Sequence, residues 1–374
     1  MRILVAHLVS SSRTGGMSRL MGRVHDLLEA AGHEIEYLTA DDVDAAIRSR
    51  FGRFAFQMLV RRVAVDAARR GRPFDIVNVH EPHAAAIAVF RRGLEPTAVV
   101  TMTHGVEQRG WEVAREHVHS RPPLKTRIAY PISTLWSSRL ALRRADHVIC
   151  LNTMDREFLR RRLHVTEANI TPITPGADPI FGVAAATRSY HSGGRLLFAG
   201  TWLPRKGVKE LSQAFNRLID RGVDVRLDII GSGVPEPNIR SEFSGAALDR
   251  VRVLPGGDDA RMADAMGGAD IFVLPSLFEG TPLTLVEAMW SGLPIVTTAT
   301  AGMRDIVSHE VTGLLVEPAD SPALERALER LAGDSGLRRA LGTRAHGIAS
   351  SRYTWSHTAA AFATAYRAAR VRHG

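Results

Sequence analysis

The chain has 374 residues, 45% of them hydrophobic, and its 48 lysines and arginines against 39 acids give a net charge of +9. This length exceeds one ordinary core and predicts two domains of roughly 150–200 residues each. The single cysteine, Cys150, excludes an internal disulfide and any Cys-x-x-Cys zinc pair, which fits a reducing cytoplasm better than secretion.

From the amino terminus, MRILVAHLVSSS reads as a first strand with no charged leader before it, and no run of about 18 apolar residues follows anywhere to mark a membrane span. Apolar runs bounded by turn residues then alternate with amphipathic stretches. They are ILVAHLV (3–9), EIEYLT (34–39), FDIVNVH (74–80), TAVVTMTH (97–104) and HVICLN (147–152). A small, polar interval without periodicity, residues 182–194, predicts a linker. A second series follows it: RLLFAG (195–200), VRLDIIG (225–231), VRVLPG (251–256), DIFVLPS (270–276), PIVTTAT (294–300) and GLLVEP (313–318). Strands alternating with helical stretches predict an α/β chain with two doubly wound, Rossmann-like parallel sheets.

The basic charge is concentrated in the first half. Residues 45–72 hold eight arginines against Asp66, and residues 109–144 hold seven arginines and Lys125 against Glu112 and Glu116. The segment from Arg48 to Arg72 interleaves its cations with Phe51, Phe54, Phe56, Met58, Leu59 and Val60, the composition of an interfacial amphipathic helix or of a solvated helix face. An anionic membrane surface is therefore a candidate partner. No nucleic-acid motif accompanies the charge, so nucleic acid is not expected.

Ligands of doubly wound sheets sit beyond the carboxyl ends of strands, where loops lead into helix amino termini. The stretch DIFVLPSLFEGTPLTLVEAMWSG predicts a strand, a loop and a helix, with Thr281 as N-cap, Pro282 at the first helical position and Gly292 past the end. Amides near the helix start suit a phosphate, with Leu283 and Thr284 as the natural donors since Pro282 has none. Glu279 before the helix and Glu287 on its second turn suit hydroxyls, so a ligand with sugar, diphosphate and ribose in series would satisfy all three. Metal readings are weaker. Asp41-Asp42 and Asp258-Asp259 read as helix caps, and Pro82 prevents His80 and His83 from sharing a regular helical face.

These residues resemble retaining glycosyltransferase family 4, with the GT-B fold. The resemblance rests on Glu279 and Glu287 with A-M-x-x-G-x-P-I-V, and on Gly15-Gly16 after the first strand. It extends to Thr101–Gly105 (T-x-T-H-G), Pro175–Asp178 (P-G-A-D), Arg205–Gly207 (R-K-G), Gly231–Gly233 (G-S-G) and Tyr353–Trp355 (Y-T-W). It implies two Rossmann-like domains facing a central cleft: an acceptor-side domain at 1–182, a nucleotide-sugar domain at 183–352, and a helix at 353–374 returning to the first. It also implies transfer of a sugar from a UDP- or GDP-linked donor to an acceptor hydroxyl with retention, with the nucleotide-sugar as co-substrate and neither cofactor nor metal. The acceptor would be a small molecule, a polysaccharide or a lipid-linked or phosphate-bearing glycan, handled in the cytoplasm or at the inner face of the membrane.

By the same resemblance, Lys206 contacts the diphosphate, Glu279 the transferred sugar, Glu287 the ribose and His104 the reacting sugar. Gly15, Gly16, Gly231, Gly280 and Thr281 complete the donor-binding set. The family usually carries an arginine directly after the glycine that here is Gly200, where this chain has Thr201; Arg205 is the candidate substitute, provided a turn lets it converge with Lys206. A non-catalytic nucleotide-sugar-binding subunit fits the same residues. A nicotinamide enzyme fits poorly, because SSSRTGGMS lacks G-x-G-x-x-G.

Overall fold

The computed structural model describes residues 1–9, 15–44, 47, 52–117, 124–190 and 194–371. The chain forms two compact units. One comprises Met1–Glu112, Ser120–Thr174 and Trp355–Gly374, and the other Val113–His119 and Pro175–Thr354.

The first unit is built on a parallel sheet of β1 (Arg2–Ala6), β2 (Glu34–Leu38), β3 (Ile76–His80), β4 (Ala98–Met102), β5 (His147–Cys150) and β6 (Ile170–Pro172), in the order β2-β1-β3-β4-β5-β6. Side chains alternate across it as strand geometry requires. Ile3 and Val5 join the cluster with Leu20, Met21 and Val24 of the first helix and with Phe362 and Tyr366 of the last. Leu4 and Ala6 face the opposite side, among Phe56, Val60 and Ala64 of the helix Arg53–Arg69. The final helix, Trp355–Val371, is thus a core element of this unit although it comes last in sequence. Its buried Tyr366 hydroxyl accepts a hydrogen bond from Asn78 Nδ2 at 2.8 Å, and Thr358 Oγ1 donates to Thr174 O at 3.1 Å.

The second unit repeats the plan with β7 (Arg195–Ala199), β8 (Arg226–Ile230), β9 (Val251–Leu254), β10 (Ile271–Leu274), β11 (Ile295–Thr298) and β12 (Gly313–Val316), in the order β12-β11-β10-β7-β8-β9. Its central strands are buried on both faces, so they read as continuous apolar runs such as IFVL in β10.

The anticipated strands are all present, and β6 is an addition: three residues ending in Pro172 are too short to show a period. The expected linker begins in helical structure. Pro179–Gly182 and Val183–Thr187 are helical, and Phe181 belongs to the second unit's core, so the chain passes between units at Thr174–Pro175, ahead of residue 182. His191–Gly193 lie outside the described residues, as do Arg48, Arg50 and Phe51 of the basic segment. The aspartate pairs act at helix ends: Asp258 accepts from Arg261 N at 3.0 Å, and Asp42 accepts from Thr39 N at 2.7 Å.

Because Tyr366 ties the last helix to β3, Tyr366→Phe removes a buried hydrogen bond and leaves the Asn78 amide without it. Equilibrium urea unfolding is expected to show a loss of about 1–3 kcal/mol.

Candidate active site

Both sheets reverse their strand order at one place, between β1 and β3 in the first unit and between β7 and β10 in the second. A crevice at the carboxyl ends of such neighbours is where doubly wound sheets bind ligands. The candidate residues gather at these two places.

In the second unit, β7 is followed by Gly200, whose φ of +146° suits glycine. Trp202 N donates to Ser232 O at 2.6 Å, so this loop lies along the Gly231–Gly233 loop that follows β8. Trp202 is buried against Phe198 and Phe243 and donates through Nε1 to Glu242 at 3.0 Å. Thr201 is exposed at the start of the loop. Pro204–Lys206 then forms one 3₁₀ turn closed by Gly207, which takes a φ of +70°. A Cβ on Gly207 would stand 1.9 Å from Pro275 O, so only glycine lets this turn pack against the end of β10. Leu277 N donates to Arg205 O at 2.8 Å and joins the turn to the loop after β10.

The turn settles the geometry of the two cations. Lys206 Nζ lies 2.8 Å from Glu279 Oε1, and the Arg205 guanidinium bonds the same oxygen. Lys206 and Glu279 are nearly buried, whereas Arg205 is half exposed. Adjacent side chains therefore do converge on one carboxylate oxygen.

The helix after Glu279 spans Leu283–Trp290, with Pro282 rather than Thr281 as its N-cap. Pro282, with ψ at 125°, is still extended, so the helical turn starts one residue later than anticipated. Leu285 N donates to Pro282 O at 3.2 Å, and Leu283 and Thr284 occupy the first turn, where amides lack intrahelical acceptors. Glu287 is on the second turn and buried, and Gly292 past the helix end takes the anticipated left-handed φ of +67°. Gly302, which sequence reading missed, supports this loop from behind: a Cβ there would sit 2.0 Å from Gly280 O and 2.2 Å from Thr281 Oγ1.

In the first unit, His104 follows β4 and is not alone. Its Nε2 is 3.1 Å from His80 Nδ1, and the His80 ring also lies 5.0 Å from that of His7. These rings stand at the carboxyl ends of β1, β3 and β4. Desolvation pushes His104 down to about 3, with the His7 charge adding to it, and burial also holds His80 and His7 below the ordinary imidazole range. The cluster is therefore neutral near pH 7 and offers hydrogen bonds rather than charge. Glu81 adjoins it, fully desolvated and pushed up to about 8 by burial and then by Glu107; it accepts from Glu107 N at 3.2 Å and from the Ser138 hydroxyl. His7 and the His80-Glu81 pair went unrecognised as companions of His104 because they lie in stretches far from it in sequence; only the strand order brings them beside it.

Gly15 is the N-cap of the helix Gly16–Ala30, with an ordinary φ of −96°, and its carbonyl accepts from Ser18 Oγ at 3.0 Å. A Cβ on Gly16 would meet nothing within 4 Å. Neither glycine is demanded by its backbone angle or by packing. Among the described residues, no group of three or more metal-ligating side chains is assembled.

Residues 193–334 match the family "Glycosyl transferases group 1", and residues 14–181 match "Glycosyltransferase Family 4". The chain belongs to glycosyltransferase family 4. It is an enzyme that transfers sugars, with the GT-B architecture. Phosphatidyl-myo-inositol mannosyltransferase of Mycobacterium leprae is 27% identical over 309 residues, which cover 82% of this chain and 75% of that protein. Sucrose-phosphate synthase from Thermosynechococcus elongatus superposes with a TM-score of 0.79 at 20% identity, over 98% of each chain. HepE of Anabaena, in complex with UDP-glucose, superposes with a TM-score of 0.69 at 17% identity, over 97% of this chain and 99% of that one.

The two glycine sites separate packing from ligand clearance. Gly302→Ala is expected to lower the melting temperature, since the Gly280–Thr281 backbone must move. Gly16→Ala is expected to leave stability within about 1 kcal/mol and still cut turnover at least roughly tenfold. Differential scanning fluorimetry with a donor-hydrolysis assay checks both, and full activity in Gly16→Ala would remove that loop from the site.

Proposed function

We propose that this glycosyltransferase moves a sugar from a UDP- or GDP-linked donor to the hydroxyl of a lipid-linked or phosphate-bearing acceptor, with retention and without a metal, at the cytoplasmic face of a membrane. The observation that carries the reading is the convergence of Lys206 and Arg205 on Glu279 at the β7–β10 reversal. Two cations beside a helix amino terminus are what a leaving diphosphate requires. The UDP-glucose held by HepE and the phosphatidylinositol acceptor named for the mycobacterial relative support the same substrate classes.

In this reading the diphosphate lies across Lys206, Arg205 and the amides of Leu283 and Thr284, with Gly231, Gly280 and Thr281 lining its path. It takes the two cations from Glu279, whose carboxylate turns to the hydroxyls of the transferred sugar. Glu287 receives the ribose. His104, neutral, bonds the reacting sugar, and the Gly15–Gly16 amides approach the phosphate or sugar. The bond from the anomeric carbon to the phosphate oxygen breaks, the acceptor oxygen bonds that carbon on the same face, and the acceptor's proton passes to the departing phosphate oxygen. Charge neutralisation and orientation supply the acceleration.

Three measurements check this. The product anomer, read by proton NMR, is expected to match the donor's. Turnover is expected to persist in excess EDTA and to fall about a hundredfold or more in Lys206→Ala, roughly 3 kcal/mol. Glu287→Ala is expected to weaken nucleoside diphosphate binding at least about tenfold. An inverted product, abolition by chelator with rescue by magnesium, or unchanged nucleotide affinity in Glu287→Ala would each contradict its part of the account.

A further inference from the structure

The first unit has a helical layer whose outer face the catalytic reading does not use. It consists of Arg53–Arg69, Ala85–Val89 and a long segment running through the helix Leu124–Tyr130, the π-helical turn Pro131–Leu135 and the helix Trp136–Arg144. One buried side chain ties the three together: Gln57 Oε1 accepts from Ala86 N at 3.1 Å, and Gln57 Nε2 donates to Ser137 Oγ at 3.1 Å. Arg61 Nε adds a bond to Phe90 O at 2.8 Å.

The inner face of the long segment is conventional, with Thr134, Ser137, Ser138, Ala141 and Leu142 buried. The outer face is not. Ile128, Ile132 and Trp136 recur every four residues and are 57%, 69% and 64% exposed. On the neighbouring helix, Phe54 and Met58 repeat the same spacing at 64% and 37% exposure, and Phe90 is 53% exposed. Large apolar side chains so exposed on adjacent helices mark an interaction surface rather than ordinary surface scatter.

The charge on these elements themselves is almost of one sign, although the helix Glu107–His117, joined to the long segment through Tyr130–Glu107 and Arg139–Gln108, brings Glu107, Glu112 and Glu116 to its side. Residues 124–144 contain Lys125, Arg127, Arg139, Arg143 and Arg144 and no acid, and residues 53–69 contain four arginines against Asp66 alone. Asp66 is itself engaged by Arg62 and Arg69, at 3.7 and 3.6 Å. The occupant must therefore be apolar where Ile132 and Trp136 enter and anionic where the guanidinium groups lie. A second copy of the chain answers the first demand and violates the second, because a two-fold contact sets this cationic face against itself. An anionic bilayer answers both, with apolar side chains entering the acyl boundary and arginine heads reaching the phosphates. No described helix is long and apolar enough to cross a membrane, so the contact would be peripheral.

We infer that the face formed by Phe54, Met58, Ile128, Ile132 and Trp136, on elements rich in arginine, seats this enzyme on an anionic lipid surface. The contact involves neither the donor residues nor the identity of the sugar, so it can be tested apart from them.

The test uses the full chain and vesicles that contain no acceptor. Co-sedimentation is expected with phosphatidylcholine vesicles containing about a quarter phosphatidylglycerol and not with pure phosphatidylcholine, and is expected to fall as salt is raised. The double variant Ile132→Ser/Trp136→Ser is expected to lose at least about tenfold in binding. Arg139→Ser and Arg143→Ser are expected to lose roughly fivefold each, the equivalent of about 1 kcal/mol per engaged cation. All are expected to keep the wild-type melting temperature, since these side chains are exposed. Brominated lipid is expected to quench the wild type more than Trp136→Phe. Equal pelleting with neutral and anionic vesicles, or full binding by the double variant, would overturn the inference. So would a dimer in light scattering that Trp136→Ser dissociates, or salt-sensitive retention on nucleic acid without binding to vesicles.

Discussion

Glu279 holds Lys206 at 2.8 Å and also takes the Arg205 guanidinium, and the turn at Pro204–Gly207 together with the loop after β10 makes that three-way contact possible. Neighbouring side chains on an extended backbone diverge. Here the backbone turns through Pro204–Lys206 and leaves through Gly207, in a conformation and at a distance from Pro275 O that exclude any other residue. The Arg205 carbonyl is held by Leu277 N, so the turn and the glutamate loop are positioned together. Because Lys206 and Glu279 are nearly buried, their charges are poorly screened. An arriving diphosphate would compete with a carboxylate for cations already in place, with little reorganisation at the moment of reaction.

The first unit solves a different problem at its own strand reversal. His7, His80 and His104 crowd at the strand ends and are kept neutral by desolvation, while Glu81 beside them is held toward its protonated form. Such a group can donate and accept hydrogen bonds without adding charge. The same cluster makes stability depend on pH. The histidines are charged in the unfolded chain below about pH 6.5 and resist protonation in the fold, so the stability they contribute is lost as pH falls from there toward about 3. Glu81 acts in the opposite direction: its contribution is lost as pH rises from about 4.5 through about 8.

The α/β alternation was legible because each strand is an apolar run and each helix is amphipathic. Strand order was not, and with it went the histidine cluster, since nothing in the sequence places His7 beside His80. Glu279, Lys206 and the helix between Leu283 and Trp290 were legible through motif spacing, but the cap was misassigned by one residue because a Thr-Pro step fits either register. Gly302 was invisible for a similar reason: its role depends on the Gly280–Thr281 backbone lying against it. The basic character of residues 109–144 was plain from counting, whereas the exposed stripe of Ile128, Ile132 and Trp136 required knowing which helix face is buried.

The competition at Glu279 is tested most directly by titrating a bare nucleoside diphosphate calorimetrically into the wild type, Lys206→Ala and Glu279→Gln. The account predicts that Lys206→Ala loses affinity at least about tenfold, while Glu279→Gln binds as tightly as the wild type or more so, because the competing carboxylate is gone, and yet turns over poorly. Equal loss of affinity in Glu279→Gln and Lys206→Ala would mean that the ion pair is scaffolding for the loop, and that the diphosphate does not take its place.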